Sequence, residues 1–393
     1  MGTLADRRFE MTLRNRVLFG LGAIERLPEV VAAAGGSRVF VVTDPGVRAA
    51  GIIEPVLDAL AAAGLATVIF DGIEPNPAAS TVERGAASLL EFGLAGTVVV
   101  AIGGGSAMDA AKAIDLRAAN DRPVWDLEYD GPDLTPGVPI VAIPTTAGTG
   151  SEAHSFAVIT HEEIGRKDYI GHPSLLPVTT ILDPGLTVGL PPAVTAATGV
   201  DAMTHSLESL LSANPNPFAE AVALGVIRTV GTWLRQAVAD GSDLEARSQM
   251  LVASHLAGVG QASGTGVGLV HALGHSIGTR GRVAHGTALA AVLPEVLRFY
   301  LGSRDRELAL VGMALGVASA AETEATAAGA AIGAVDKLLR DVDQRRSLRE
   351  LGLADENEID RLTSDTIDDA AIRNSPRLPT APEARAILEA VAG

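Results

Sequence analysis

Between residues 38 and 182 the chain alternates between two textures. Short runs of β-branched and other apolar residues occur at "RVFVVT" (38–43), "ATVIF" (66–70), "TVVVAI" (97–102) and "PIVAIP" (139–144). Between them lie stretches with helical spacing: "GIIEPVLDALAAAG" (51–64), "STVERGAASLLEFG" (80–93) and "SAMDAAKAI" (106–114). A strand that is apolar without interruption is buried on both faces, and helices interposed between such strands make the sheet parallel. Few architectures other than a parallel sheet covered by helices on both sides satisfy this pattern. Two shorter β-like stretches follow, "SFAVIT" (155–160) and "VTTIL" (178–182).

After "DPGLTVGLPP" (183–192) nearly every segment reads as helix, including "AVTAATGVDAMTHSLESLL", "AEAVALGVIRTVGTWLRQAV", "ARSQMLVASHLAGVG" and a long alanine-rich stretch near 307–342. The expected organisation is an α/β N-terminal domain with a parallel sheet over residues 1–190 and an all-helical C-terminal domain over 191–393, divided at Pro191–Pro192. A length of 393 residues suits two domains. Aromatic residues make up only 3% of the chain against 47% apolar overall, so the cores must be built from aliphatic side chains and alanine.

The net charge of −17 repels phosphate backbones and anionic lipid, which argues against nucleic-acid and membrane partners. The chain has no cysteine, so disulfides, thiolate metal sites and a cysteine nucleophile are excluded. "MGTLADRRFEMTLRN" places charges where a signal peptide needs an apolar stretch, and no apolar run approaches membrane-spanning length. A cytoplasmic protein is the expectation.

Two loops at strand ends carry ligand-binding chemistry. "GGGS" puts Gly103, Gly104, Gly105 and Ser106 between a strand and a helix, where bare backbone and uncapped amides favour an anion such as phosphate. A tight turn without a ligand fits a lone GGGS equally well, and the GxGxxG spacing is absent. "PTTAGTGSE" (144–152) follows a second strand and offers the hydroxyls of Thr145, Thr146, Thr149 and Ser151. Two such loops on one sheet edge suit a dinucleotide. Asp44, closing the first strand, is placed to accept from ribose hydroxyls and repel a 2′-phosphate, favouring NAD; as a turn residue before Pro45 it needs no ligand. The acid precedes the glycines, unlike the ordinary Rossmann fingerprint.

Four of the eight histidines, His205, His271, His275 and His285, lie in polar-poor helical surroundings. Asp201 and His205 are spaced i, i+4, as are His271 and His275, so each pair shares a helix face. A carboxylate with several imidazoles and no sulfur suits Fe²⁺, Zn²⁺ or Mn²⁺. Spacing alone leaves open which of His271, His275 and His285 bind. His154, His161, His172 and His255 lack a paired ligand spacing and read as surface, loop or packing residues.

Together, "GGGSAMDAAK", "PTTAGTGSE", "ILDPGLTVGLPP", "TAATGVDAMTHSLE", "GVGLVHALGH" and "AHG", with "EPNP" (74–77) and "NSPR" (374–377), resemble the iron-dependent (group III) alcohol dehydrogenases over nearly the whole chain. The resemblance implies a dinucleotide domain followed by a helical metal domain, a cofactor NAD(H), and Fe²⁺ held by Asp201, His205, His271 and His285. It implies that His275 lies near nicotinamide and substrate without binding the metal, and acts in catalysis. It places Gly103, Gly104, Gly105, Ser106 and Asp109 in the pyrophosphate loop, Thr145, Thr146 and Thr149 along the cofactor, Lys167 at its ribose, and Asp44 at the position favouring NAD. The implied substrate is a small primary alcohol, diol or hydroxyaldehyde, and members of the family are often dimers or larger homo-oligomers.

One stretch departs from the pattern. "AGVGQASGTGVGLVH" lacks the phenylalanine that family members often carry there and has one extra residue, which points to a wider or more polar pocket in 257–266. Other readings are a dehydroquinate-synthase-like lyase, a polyol (glycerol-type) dehydrogenase, a maleylacetate-type reductase and a non-catalytic NAD- or metal-binding scaffold. Few basic residues flank the histidines, chiefly Arg280 and Arg282, which ranks the lyase lower, and four intact metal-ligand positions argue against the metal-free reductase.

Overall fold

The computed structural model describes residues 15–127, 133–162 and 166–393. The charged amino-terminal stretch read above lies almost wholly outside them. The described residues divide into two compact units: one comprises those from Asn15 to Thr195 with Ala239–His255, and the other Ala196–Val238 with Leu256–Gly393. The segment 239–255 thus belongs with the α/β unit, although it lies far down the helical half of the sequence.

The α/β unit holds strands β1 (Arg16–Phe19), β2 (Arg38–Val42), β3 (Ala66–Phe70), β4 (Thr97–Gly103), β5 (Ile140–Pro144), β6 (Phe156–His161), β7 (Arg166–Gly171) and β8 (Thr179–Leu182). Its helices are α1 (Leu27–Ala33), α2 (Pro45–Ala49), α3 (Glu54–Ala62), α4 (Ala79–Phe92) and α5 (Gly105–Ala119). Six strands form a parallel sheet in the order β1-β8-β5-β4-β2-β3, and β6 and β7 pair antiparallel beside it as a separate ribbon. The side chains alternate across the sheet with period two. Phe40, Val42, Val99 and Ala101 pack on one face with Val82, Ala86 and Leu89 of α4 and Met108 and Ile114 of α5. Val39, Val41, Val98, Val100 and Ile102 pack on the other with Val30 and Val31 of α1 and Ile53, Val56 and Leu60 of α3. Both faces are therefore covered, as the unbroken apolar runs require.

Strand order locates the ligand crevice. The chain leaves β2 for β3 on one side and leaves β4 for β5 on the other, so the winding reverses between β2 and β4. Such a switch point opens a crevice beyond the carboxyl ends of the strands. Asp44 and the glycine loop stand at those two ends.

The remaining helices are α6 (Pro192–Leu211), α7 (Pro217–Ala239), α8 (Leu244–Gly260), α9 (Leu269–Gly281), α10 (His285–Phe299), α11 (Asp305–Ala314), α12 (Glu324–Asp341), α13 (Glu356–Asp368) and α14 (Ala381–Ala390). Within the helical unit α9 and α10 pack closely where Gly274 leaves room for Leu289; a Cβ on Gly274 would stand 2.4 Å from Leu289 Cδ2. After α8, Gln261–Thr265 forms a π turn, closed by Gly266 N–H donating to the Gln261 carbonyl at 3.3 Å. Gly264, at φ +95°, breaks the helical path inside this turn. Among the described residues no helix is long and apolar enough to cross a membrane.

Candidate active site

Three loops meet at the switch point of the sheet. Gly103 has φ +148°, and a Cβ there would stand 2.7 Å from the Ala107 Cβ and 3.1 Å from Asp44 Oδ2, so the glycine loop and Asp44 adjoin. Gly104 and Gly105 lie against the next loop: added Cβ atoms would come within 3.3 Å of Thr146 Cγ2 and 2.6 Å of Thr149 Cγ2. Gly104 is the N-cap of the 15-residue α5 and provides no side-chain cap, so the first amides of that helix are left for a ligand or water. Asp44 has a structural duty as well, because its Oδ1 accepts from Val47 N–H at 2.9 Å and caps α2. Ser106 Oγ accepts from Asn76 N–H at 3.2 Å, which ties "EPNP" to the glycine loop. Thr145 is buried, and its N–H donates to the Gly103 carbonyl at 2.9 Å. Lys167 is half-buried on β7, opposite Thr160.

Asp109 turns inward. Its carboxylate accepts from Ser151 Oγ at 2.5 Å and Val158 N–H at 3.1 Å, so it fastens the threonine loop and β6 to α5. Beside it lies Lys112, which the motif reading passed over. This buried ammonium donates to the Ser151 carbonyl at 2.6 Å, Ser151 Oγ at 2.9 Å and the Phe156 carbonyl at 2.9 Å. Burial pulls the Lys112 ammonium down to about 8, against the opposing pull of Asp109 and Glu152. One carboxylate and one ammonium of α5 thus brace the threonine loop and β6. Glu152 is itself buried, with His255 Nδ1 3.2 Å from its Oε1. Lys112 carries a legible signal, a lone lysine on the apolar face of an alanine-rich helix.

The helical unit gathers the histidines. Asp201 and His205 stand on successive turns of α6, His271 and His275 on successive turns of α9, and His285 opens α10. Ligand atoms of Asp201, His271 and His285 lie within 4.8 Å of one another. Asp201 Oδ1 is the hub: it lies 3.6 Å from His205 Nε2, 3.6 Å from His271 Nε2 and 3.8 Å from His285 Nε2. These separations are too long for hydrogen bonds, and neither Asp201 Oδ1 nor His271 Nε2, both buried, has a hydrogen-bond partner. A buried polar atom left unpaired costs about 1–3 kcal/mol, yet here two converge on one point. Burial alone would raise the Asp201 carboxyl, but His205, His285 and His271 hold it well below the usual carboxylate range. Asp201, His271 and His285, with His205 Nε2 also beside Asp201 Oδ1, make a donor set that fits a divalent cation of the iron, zinc or manganese kind.

His275 is set apart from that point. Its Nδ1 lies 2.8 Å from Asp369 Oδ2, and its ring stacks on that of His285 with centroids 5.5 Å apart. Asp369 also accepts from Ala371 N–H at 2.8 Å, which anchors the turn that leads into "NSPR". Of the other histidines, His161 stacks on Trp125, His154 stacks on Phe156, and His172 caps the turn at Pro173–Leu175. Sequence reasoning passed over both Asp369 and Glu208. Glu208 sits three residues beyond His205, buried against His271.

Comparisons with known proteins identify the family. Residues 14–184 match the sequence model of the iron-containing alcohol dehydrogenases, and residues 195–392 match that of the C-terminal part of the same family. A choline dehydrogenase of Bacillus subtilis (strain 168) is 38% identical over 361 residues, covering 91% of this chain and 89% of that protein. The solved structure of a 1,3-propanediol oxidoreductase superposes with a TM-score of 0.93 at 35% identity, covering 98% of this chain and 100% of that one. A sulfoacetaldehyde reductase from Bifidobacterium kashiwanohense, solved in complex with NAD+, superposes with a TM-score of 0.87 at 26% identity, covering 98% and 99%. Dehydrogenases and reductases of this kind do not favour the lyase and scaffold readings. The chain belongs to the iron-containing alcohol dehydrogenase family: it is an oxidoreductase acting on small alcohols or aldehydes, and iron and NAD(H) are the cofactors that fit it.

Proposed function

We propose that this protein transfers hydride between NAD(H) and a small primary alcohol, diol or hydroxyaldehyde, with a divalent metal, Fe²⁺ by preference, held by Asp201, His205, His271 and His285. The observation that carries this reading is the pair of buried, unpartnered atoms Asp201 Oδ1 and His271 Nε2, converging with the other two imidazoles. A metal held there supplies Lewis-acid polarisation of the substrate oxygen. The chain's own residues do the rest. Gly103, Gly104, Gly105 and Ser106 receive the pyrophosphate on bare backbone and the amino end of α5. Thr145, Thr146 and Thr149 line the cofactor, with Asp109 and Lys112 holding their loop in register. Asp44 and Lys167 are assigned to the ribose, and the carboxylate of Asp44 disfavours a 2′-phosphate. His275 is assigned the substrate proton. Asp369 sits at its Nδ1, so exchange is assigned to Nε2.

The roles are divided between residues 1–190 for the cofactor and 191–393 for metal and catalysis. The preference for a polar substrate rests on the aromatic-free stretch 257–266, where Gln261 is buried and its Oε1 lacks a hydrogen-bond partner. The relative named 1,3-propanediol oxidoreductase agrees with a diol. A cytoplasmic homodimer or larger homo-oligomer completes the reading, and light scattering of the purified protein tests the assembly.

The decisive experiment follows absorbance at 340 nm. Protein loaded anaerobically with Fe²⁺ or Zn²⁺ is incubated with NADH and a panel of short aldehydes and hydroxyaldehydes, with a chelator-treated control. Metal-dependent loss of NADH supports the reading, and the rate ranking names the substrate class. No turnover by protein that holds both metal and NADH would overturn it.

A further inference from the structure

We propose that Glu208 is the positioning residue of the metal site: its carboxylate selects the tautomer of His271 and aims the ring's Nε2 at the cation. The proposal rests on the metal reading above. Glu208 is buried, and both of its oxygens are engaged. Oε2 lies 2.6 Å from His271 Nδ1 and accepts from Gly268 N–H at 2.8 Å, while Oε1 accepts from Val270 N–H at 2.7 Å. These amides belong to the first turn of α9, whose N-cap, Gly268, has no side chain of its own. Glu208 reaches from α6 to cap α9 and to hold the first histidine of that helix with the same group.

The chemistry follows from what a carboxylate can do. An ionised carboxylate only accepts, so the nitrogen facing it must carry the proton. In the neutral ring that binds a cation, His271 therefore has its proton on Nδ1 and its lone pair on Nε2. That Nε2 is the buried atom without a hydrogen-bond partner, 3.6 Å from Asp201 Oδ1. Every partner of the Glu208 oxygens, the Gly268 and Val270 N–H groups and the His271 Nδ1, sits where a carboxylate accepts. Gly268 makes the approach possible: a Cβ there would stand 3.2 Å from Glu208 Oε1. Asp201, His205 and Glu208 thus occupy three consecutive turns of α6, the first two facing the cation site and the third orienting a ligand from the neighbouring helix.

Glu208→Gln preserves shape and cannot preserve this pattern. If the amide nitrogen takes the place of Oε2, it faces Gly268 N–H and donates to Nδ1, which drives the His271 proton to the metal-facing nitrogen. If it takes the place of Oε1, it faces Val270 N–H. Loss of such an orienting partner weakens metal binding by about 10–100-fold. The test is competitive titration of metal-free protein with Zn²⁺ against a chromophoric chelator, for wild type, Glu208→Gln and Thr363→Val. The last removes a hydroxyl whose hydrogen bond, to the Ile359 carbonyl, stays within α13, and serves as the control for general destabilisation. The expected result is a 10–100-fold weaker Kd in Glu208→Gln alone. Binding within about threefold of wild type, or an equal loss in Thr363→Val, overturns the proposal. If Glu208→Gln does not fold, ¹⁵N-histidine spectra of the zinc-loaded wild type decide. A proton on His271 Nδ1 supports the proposal, and a proton on Nε2 overturns it. Wild-type protein that binds no zinc would instead sink the metal reading itself.

Discussion

Gly286 offers the sharpest test of how the metal site is assembled. It follows His285 directly and opens α10 against the start of α6. A Cβ added at Gly286 would lie 1.8 Å from the Ala197 carbonyl oxygen, 2.5 Å from its carbon and 3.1 Å from the Ala197 Cα. Ordinary contact begins near 3.4 Å, and backbone atoms held in a helix do not swing aside as a side chain does. Gly286→Ala must therefore push the two helices apart by roughly 1.5 Å, a strain of the overpacking kind that costs about 1–3 kcal/mol. Metal sites tolerate only about 0.2 Å in ligand position. His285 is one residue away and moves with the backbone, while Asp201 stays one turn along α6 from Ala197. The expected result is protein that folds, melts lower and loses most of its metal. The assay is metal stoichiometry by mass spectrometry, with a thermal melt alongside. Gly278→Ala is the matched control, since its Cβ would meet Ala288 Cβ at 3.7 Å and the Val283 carbonyl at 3.8 Å, both ordinary contacts. If Gly286→Ala keeps a full complement of metal and the wild-type melting temperature, close approach of the backbones is not what places His285.

Three further outcomes follow. His271→Ala should lose both metal and activity; retained stoichiometric metal would remove it from the ligand set. His275→Ala should keep its metal and lower kcat by about 10²–10⁴-fold, the usual contribution of a positioned acid or base; unchanged turnover and an unchanged pH–rate profile would end its catalytic role. Asp115, fully buried on α5 with one carboxylate oxygen accepting from Val138 N–H at 2.9 Å, is raised by burial to about 7 from an ordinary 3.8. Because its folded value lies above its unfolded one, stability from this group is full below pH 4 and falls as pH rises through 7, by on the order of 4 kcal/mol. Asp115→Asn should flatten that fall, measured by urea unfolding at pH 5 and pH 8, and an unchanged difference between the two pH values would refute the assignment.

Local patterning carried much of the α/β unit. The unbroken apolar runs at 38–43, 66–70, 97–102 and 139–144 became β2, β3, β4 and β5, because strands buried on both faces have no polar side to present. Strand β1 was not legible. Its four residues, "RVLF", are too short for a periodicity, and they pair with Thr179–Leu182, some 160 positions later. Strand β7, "RKDYIG", reads as polar because it forms a ribbon with β6 outside the main sheet. The alanine-rich stretch 307–342 is two helices: Gly316 at φ +72° ends one path, and the Thr323 side chain caps the next by accepting from Thr326 N–H.

The candidate site divides along the same line. Residue type and short-range spacing were enough to pick out the glycine and threonine loops, the Asp201–His205 pair and the His271–His275 pair, because a helix turn or a strand end places such neighbours together whatever surrounds them. Nothing local brings Asp201, His271 and His285 to one point, or assigns Glu208 to His271, Asp369 to His275 and Lys112 to Ser151. Those pairings join residues 39–94 positions apart. The convergence of Asp201, His271 and His285 depends on helices packing as closely as Gly274 against Leu289 and Gly286 against Ala197 allow. Periodicity along a chain encodes which face of an element is buried; which buried faces meet is decided by the volume of the side chains between them.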